Sequence, residues 1–315
     1  MQSIRKNISL KVNNLDVSYN DEGPENGPVV IFIHGFPFNK SMWDFQLESL
    51  KEHYRVIAYD VRGHGKSESG TNDFLIDMFA DDLIHFMDVL AIDKAIMCGL
   101  SMGGYIALNA IERYPARFTG LILSDTQSKA DNSEAKEKRM KAIENIRING
   151  VEQYAEESIK NLFAFLSFTT KREEIAAIKN MIMKTPVETL NKTLHALAGR
   201  KDLTSKLGEI KVPTLIMVGK KDTITPPEKS QIMHEKIEDS TLELIDYAGH
   251  LPNLENPEEF NRNLKKFLDH TTEVKQLPHY ESASYHPQHP NILEMVGAKL
   301  ALSIHRVMSP FRRLA

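Results

Sequence analysis

The chain has 315 residues, of which 41% are hydrophobic and 26% charged, with a formal net charge of −4. That length can bury a large core in one to three domains, and the near-balance of charge gives no sign of a nucleic-acid partner. One cysteine, Cys98, excludes an internal disulfide, and no stretch approaches the ~18 uninterrupted apolar residues of a membrane span. The opening Met-Gln-Ser-Ile-Arg-Lys carries no long apolar segment, so a soluble protein of the reducing cytoplasm is expected.

Residues 3–19 read as two strands about the turn Asn13-Asn14, with Ile8, Leu10 and Val12 alternating, and Asp21 to Pro28 read as a loop by composition. Val29 to Ile33 is a continuous apolar run of the kind a strand covered on both faces requires, and it ends at His34-Gly35-Phe36-Pro37. A helix is expected over Ser41 to Lys51, a strand over Tyr54 to Tyr59, and a helix over Asp73 to Leu90. Ala95-Ile96-Met97-Cys98 is the next strand, and Tyr105 to Tyr114 is a helical run stopped by Pro115. Gly120 to Ser124 is another buried strand. From about Thr126 to Leu207 the chain is charged, helical in pattern and without a good strand, which reads as an inserted helical cap. The strand pattern resumes at Val212 to Gly219 and continues with a helix over Pro227 to Ile237, a strand over Leu242 to Ile245 and a closing helix over Pro257 to Leu268. Alternation of strands and helices implies an α/β fold with a mostly parallel sheet. The domain division is 1–125 and 208–270 for the core, 126–207 for the cap, and 271–315 for a C-terminal linker and amphipathic helix.

Between the strand at 95–98 and the helix at 105–114 lies Gly99-Leu100-Ser101-Met102-Gly103. So sharp a strand-to-helix turn crowds neighbouring side chains and holds the serine in a strained backbone conformation, which is why glycine is wanted two residues to either side. The turn lifts the hydroxyl above the sheet's carboxyl edge and aims the Met102 N–H at the same volume. A serine alcohol is a poor nucleophile at neutral pH, so it needs a histidine as general base and a carboxylate to fix that histidine's tautomer. His250, in the loop after the last strand, is the best placed of twelve histidines, and Asp222, directly after the strand ending at Gly219, precedes it. Asp125, following the strand after Ser101, is the competing acid. The order Ser101, Asp222, His250 differs from that of the two best-known serine protease types.

With these residues the chain resembles the α/β-hydrolase family over about residues 3–268. The likeness rests on His34-Gly35-Phe36-Pro37, Asp60-Val61-Arg62-Gly63-His64-Gly65-Lys66-Ser67, the serine turn, Asp222, and Gly249-His250-Leu251-Pro252 leading into Glu255-Asn256-Pro257. The resemblance implies the α/β-hydrolase fold and a second oxyanion donor from the Phe36 N–H, with His34 bracing its loop, and it favours Asp222 over Asp125. Leu123-Ser124-Asp125-Thr126 and Ala196 to Asp202 look most like enol-lactone hydrolases and small-ester esterases, so a small ester or lactone cleaved through an acyl-enzyme is expected. Carbon–carbon bond hydrolases, prolyl aminopeptidases and cofactor-free haloperoxidases share the fold, and a triad-bearing ligand receptor is the reading outside enzymology. No cofactor is implied.

Other candidates have plainer readings. Asp60 to Ser67 offers Asp, Arg, His and Ser together but reads as a tight structural loop, Cys98 as a small buried hydrophobe, and Trp43 as packing. His279, His286 and His289 have no cysteine or carboxylate to complete a metal set. Leu162, Phe163, Phe165, Leu166 and Phe168 line the substrate pocket or form the cap's own core. Leu293, Val296, Leu300, Ile304, Val307 and Phe311 make a helical stripe suited to self-packing or a homodimer contact, with a membrane surface less favoured.

Overall fold

The computed structural model describes residues 2–276. Eight strands form one sheet: β1 (Gln2–Val12), β2 (Leu15–Pro24), β3 (Val29–Ile33), β4 (Arg55–Tyr59), β5 (Ala95–Leu100), β6 (Phe118–Ser124), β7 (Thr214–Gly219) and β8 (Ser240–Ile245), in the order β1-β2-β4-β3-β5-β6-β7-β8. β1 and β2 pair antiparallel, as do β2 and β4; every other ladder is parallel. The Asn13-Asn14 turn lies where expected, each residue at positive φ. β2 runs on to Pro24, however, because Asp21 and Glu22 pair with Ile57 and Val56 of β4, so the loop read from composition begins later than expected.

Apolar strands covered on both faces explain the two-sided core. Ile31 and Ile33 of β3 point to a layer containing α2 (Ile76–Val89) and α3 (Met102–Arg113). Val30 and Phe32 point to the other face, with Trp43, α1 (Asp44–Leu50) and the buried Phe260, Leu264 and Leu268 of the closing helix α10 (Pro257–Gln276). This is the period-two alternation of a strand, here apolar in both directions. Cys98 and Trp43 are both fully buried in the second layer, and burial pushes the Cys98 thiol pKa upward. A short 3₁₀ turn, Lys40–Trp43, precedes α1, and α8 (Pro227–Lys236) connects β7 to β8.

Between β6 and β7 the described residues hold helices and no strand: α4 (Ser133–Leu162), α5 (Ser167–Thr170), α6 (Arg172–Lys184) and α7 (Val187–Ala198). α4 is two helices joined at Gly150, whose φ of 83° and ψ of 172° are not helical. A one-turn helix, α9 (Pro252–Glu255), precedes α10. Because α10 continues to Gln276, the expected linker from 271 starts too early; the expected apolar stripe at 293–311 and the histidines at 279, 286 and 289 lie outside the described residues.

Two glycines fix the approach of α3 to the sheet. A Cβ on Gly103 would stand 2.1 Å from the Ile33 carbonyl oxygen, and one on Gly99 would stand 2.3 Å from the Gly103 oxygen. Neither has positive φ; that strain is carried by Ser101, at φ 53° and ψ −111°. The glycines flanking the serine therefore provide room at a crowded turn whose strain sits on the serine itself, as the sequence leads one to expect. Gly103→Ala forces backbone against backbone, and we expect it to cost at least ~3 kcal/mol and lower the melting temperature by about 5 °C or more, read by circular dichroism.

Candidate active site

Three loops at the carboxyl end of the parallel strands carry the candidate residues, as ligand sites in open α/β sheets do. Ser101 follows β5, Asp222 follows β7 and His250 follows β8. The His250 Nδ1 lies 2.8 Å from Asp222 Oδ2. A carboxylate only accepts, so Nδ1 carries the proton and Nε2 is left as the basic nitrogen. Asp222 is itself held: Oδ1 accepts from the Ile224 and Thr225 N–H groups at 2.8 and 3.1 Å, and Oδ2 from the Thr225 hydroxyl at 2.7 Å. Burial alone would raise the Asp222 pKa, but the His250 charge and the bonds from His250 and Thr225 outweigh it and keep the carboxyl below its usual range.

Ser101 and His250 line the same cavity, about 580 Å³ in volume. Phe36 and Met102 line it too, one from the loop after β3 and one from the first residue of α3. The Ser101 turn is fixed from behind, its N–H donating to the Ser124 carbonyl and its own carbonyl accepting from the Thr126 hydroxyl at 2.8 Å. His34 has both ring nitrogens occupied: Nδ1 donates to the Gly35 carbonyl at 2.8 Å and Nε2 accepts from the Val61 N–H at 2.9 Å. Fully buried, with its pKa lowered chiefly by burial, it ties the Phe36 loop to the loop after β4.

That second loop is a structural knot. Asp60, 1% exposed, accepts from the Lys40 Nζ at 2.7 Å and from the N–H groups of Lys40 and Lys66, while Ser67 donates to the Asp60 carbonyl and accepts from the Ser18 N–H. Asp60 and Ser67 are thus engaged in holding the loop.

Asp125 is fully buried at φ 44°, accepting from the Gly219 N–H at 2.9 Å and the Ser124 hydroxyl at 2.7 Å. Burial first and the neighbouring Asp222 charge second raise its pKa well above the usual carboxylate value. Asp125, Asp222 and His250 offer ligand-type atoms within 4.8 Å of one another, the arrangement among the described residues that most resembles a metal set. Nδ1 and Oδ2 are already bonded to each other, so the cluster is a hydrogen-bonded chain of buried groups.

The cap supplies the rest of the cavity wall. Of the five apolar residues singled out from the sequence, only Leu162 lines it. Phe163 packs into the core instead, while Phe165, Leu166 and Phe168 turn outward at 94%, 51% and 39% exposure. The cap residues that do line it include Ala135, Lys138, Arg139 and Ala142 from the first half of α4, and Tyr154, Ser158 and Asn161 from the second. Their spacing of three and four puts each set on one helix face, a signal present in the sequence. Which face turns toward Ser101 was not legible there. Thr225 was also missed, three residues after Asp222 and defined only by the turn it closes.

A family profile described as the alpha/beta hydrolase fold matches residues 28–257. The chain belongs to the α/β-hydrolase family. The 3-oxoadipate enol-lactonase 1 of Acinetobacter baylyi is 32% identical over 264 residues, covering 84% of this chain and 93% of the relative. A thermophilic esterase from Thermogutta terrifontis, solved with malate bound, superposes with a TM-score of 0.79 at 35% identity, covering 85% of this chain and 99% of that one. The enol-lactonase from Burkholderia xenovorans superposes with a TM-score of 0.78 at 26% identity, covering 83% and 100%. This α/β-hydrolase is an enzyme acting on ester bonds, of the enol-lactonase and esterase type.

Proposed function

We propose that this α/β-hydrolase cleaves small carboxylic esters or lactones through an acyl-enzyme on Ser101. The 2.8 Å bond from His250 Nδ1 to Asp222, on a cavity that Ser101 also lines, is the observation that carries the reading. His250 Nε2 takes the Ser101 proton as the oxygen attacks the acyl carbon, and the tetrahedral oxyanion is held by the backbone N–H groups of Phe36 and Met102. Collapse expels the alcohol, which receives that proton from the imidazolium. Water then adds to the acyl-enzyme with His250 again as base, releasing the acid and restoring the serine. A fluorophosphonate probe tests the assignment: stoichiometric labelling of Ser101 with loss of ester turnover supports it, and turnover by fully labelled protein overturns it.

The charges on the cavity wall narrow the substrate. Its charged lining residues are Lys138, which pairs with Glu134 at 2.8 Å just outside the lining, and Arg139, and neither Asp nor Glu contributes to the lining itself. Arg139 gives its Nε–H to Asp131, but Asp131 also pairs with Arg200 at 2.6 Å, so two guanidiniums share one buried carboxylate and a positive charge is left over. An ester or lactone that carries a second, free carboxylate fits this wall. Arg139→Gln should raise KM for a nitrophenyl hemi-ester of succinate or glutarate about tenfold and leave kcat/KM for the uncharged butyrate ester within twofold, Asp131 keeping Arg200. Equal losses on both esters would remove the charge argument.

A further inference from the structure

The cluster Phe165-Leu166-Ser167-Phe168 is unused by the cavity, and its geometry is that of a held point rather than a loose loop. Ser167 is buried and donates its hydroxyl to Glu255 Oε2 at 2.6 Å, and the Ala164 N–H donates to the same oxygen at 2.7 Å. Glu255 is 5% exposed, and its other oxygen accepts the N–H groups of Gly249 and Leu251, the two neighbours of His250, at 2.8 and 3.3 Å. Phe165 is thus held out into water at 94% exposure, on a turn fixed at both ends by one buried carboxylate that also frames the histidine loop.

We propose that this tip is a docking point for an anionic lipid surface. Two arguments select lipid over a second copy of the chain. The first is size: the exposed parts of Phe165, Leu166 and Phe168 amount to roughly 350 Å² of side chain, against about 800 Å² per partner in a stable protein interface. A small convex apolar point inserts into a headgroup layer but cannot make a protein interface alone. The second is charge. Lys160 and Arg172 flank the tip in sequence, and Lys221 is exposed on the loop whose N–H bonds the Ala248 carbonyl, next to Gly249, which abuts Ala164. None of these three cations makes an ion pair among the described residues. Of the carboxylates nearby, Glu156, Glu174 and Asp246 are paired with Lys179, Lys171 and Lys220, which leaves Glu157 and Glu173 against the three unpaired cations. Tyr247, 71% exposed two residues before Gly249, adds an aromatic ring of the kind that settles at the headgroup level. Apolar side chains with adjacent lysine and arginine are the combination that binds anionic bilayers reversibly.

The experiment is sedimentation of the full chain with vesicles of phosphatidylcholine containing a quarter phosphatidylglycerol, beside vesicles of phosphatidylcholine alone. The wild-type chain should partition onto the anionic vesicles, at least tenfold less onto the neutral ones, and dissociate as salt is raised. Phe165→Ser combined with Leu166→Ser should lower that partition at least tenfold while leaving melting temperature and turnover of a soluble butyrate ester unchanged, since neither side chain lines the cavity. No binding by the wild-type chain at low salt overturns the proposal, as does undiminished binding by the double variant, which places the contact elsewhere. A dimer in solution that the double variant dissociates also overturns it, making the tip an interface between copies.

Discussion

Ser101→Ala lowers ester turnover by about 10⁶-fold, the loss typical when one member of a nucleophile–base unit is removed. Mixing with substrate should show neither a burst of leaving group nor fluorophosphonate labelling, while the melting curve stays near that of the wild type. The fold should tolerate the change because the Ser101 backbone, with its N–H on Ser124 and its carbonyl on Thr126, holds the turn. A sharper form of the test uses the dihedrals. A residue with a Cβ at φ 53° and ψ −111° costs of order 1–3 kcal/mol, so Ser101→Gly should be equally inactive yet more stable by about 1 kcal/mol in a denaturant titration. Retained turnover in either variant would refute the nucleophile.

Asp222→Asn is the second large effect, about 10⁴-fold in kcat. The Asp222 Oδ1 accepts two backbone N–H groups and therefore keeps an oxygen at that position in the variant. The amide nitrogen then faces His250, which must accept at Nδ1 and carry its proton on Nε2, and the base is lost. Asp125→Asn is the control: Asp125 accepts from the Gly219 N–H and the Ser124 hydroxyl, and its raised pKa favours a neutral carboxyl that hydrogen-bonds Asp222, a bond an amide N–H can also donate, so kcat should move by less than about threefold. The reverse pattern, with Asp125 the sensitive position, would transfer the orienting role.

Where these residues stand in the chain explains how much could be read without coordinates. Ser101 was legible because a strand, two glycines and a helix form one local unit, and the same holds for the apolar runs of β3, β6 and β7. That Gly99 and Gly103 are there for room was legible as well, but not the neighbour that needs it, since the Ile33 carbonyl that Gly103 approaches is brought there by the sheet. Composition misplaced the end of β2 because acidic residues in an antiparallel strand flanked on both sides can pair as well as apolar ones: Asp21 stands between β1 and β4 and is met by the Arg55 side chain at 2.8 Å. The cap failed in an instructive way. Hydrophobicity marked Phe165 as interior, but a four-residue turn anchored through Ser167 must present its remaining side chains outward, and that anchor, Glu255, lies nearly ninety positions away. The cap's share of the cavity wall instead comes from a mixed face of α4, with Lys138, Arg139, Ser158 and Asn161 beside Ala135, Ala142 and Leu162, and from Leu194 and Leu197 of α7, which a search for one apolar cluster passes over.

The cap enters the chain between β6 and β7, so the serine is made well before its acid and its base. At ~5–20 residues per second of synthesis, roughly 7 to 30 seconds separate residue 101 from residue 250. In the proposed mechanism the alcohol has no base during that interval, and His250 comes into place only when β8 pairs with β7 at the far edge of the sheet. Hydrolysis is therefore a reporter on maturation. In a refolding reaction, recovery of activity should report docking of the β7–β8 edge with its two loops, separately from the overall secondary structure that circular dichroism records.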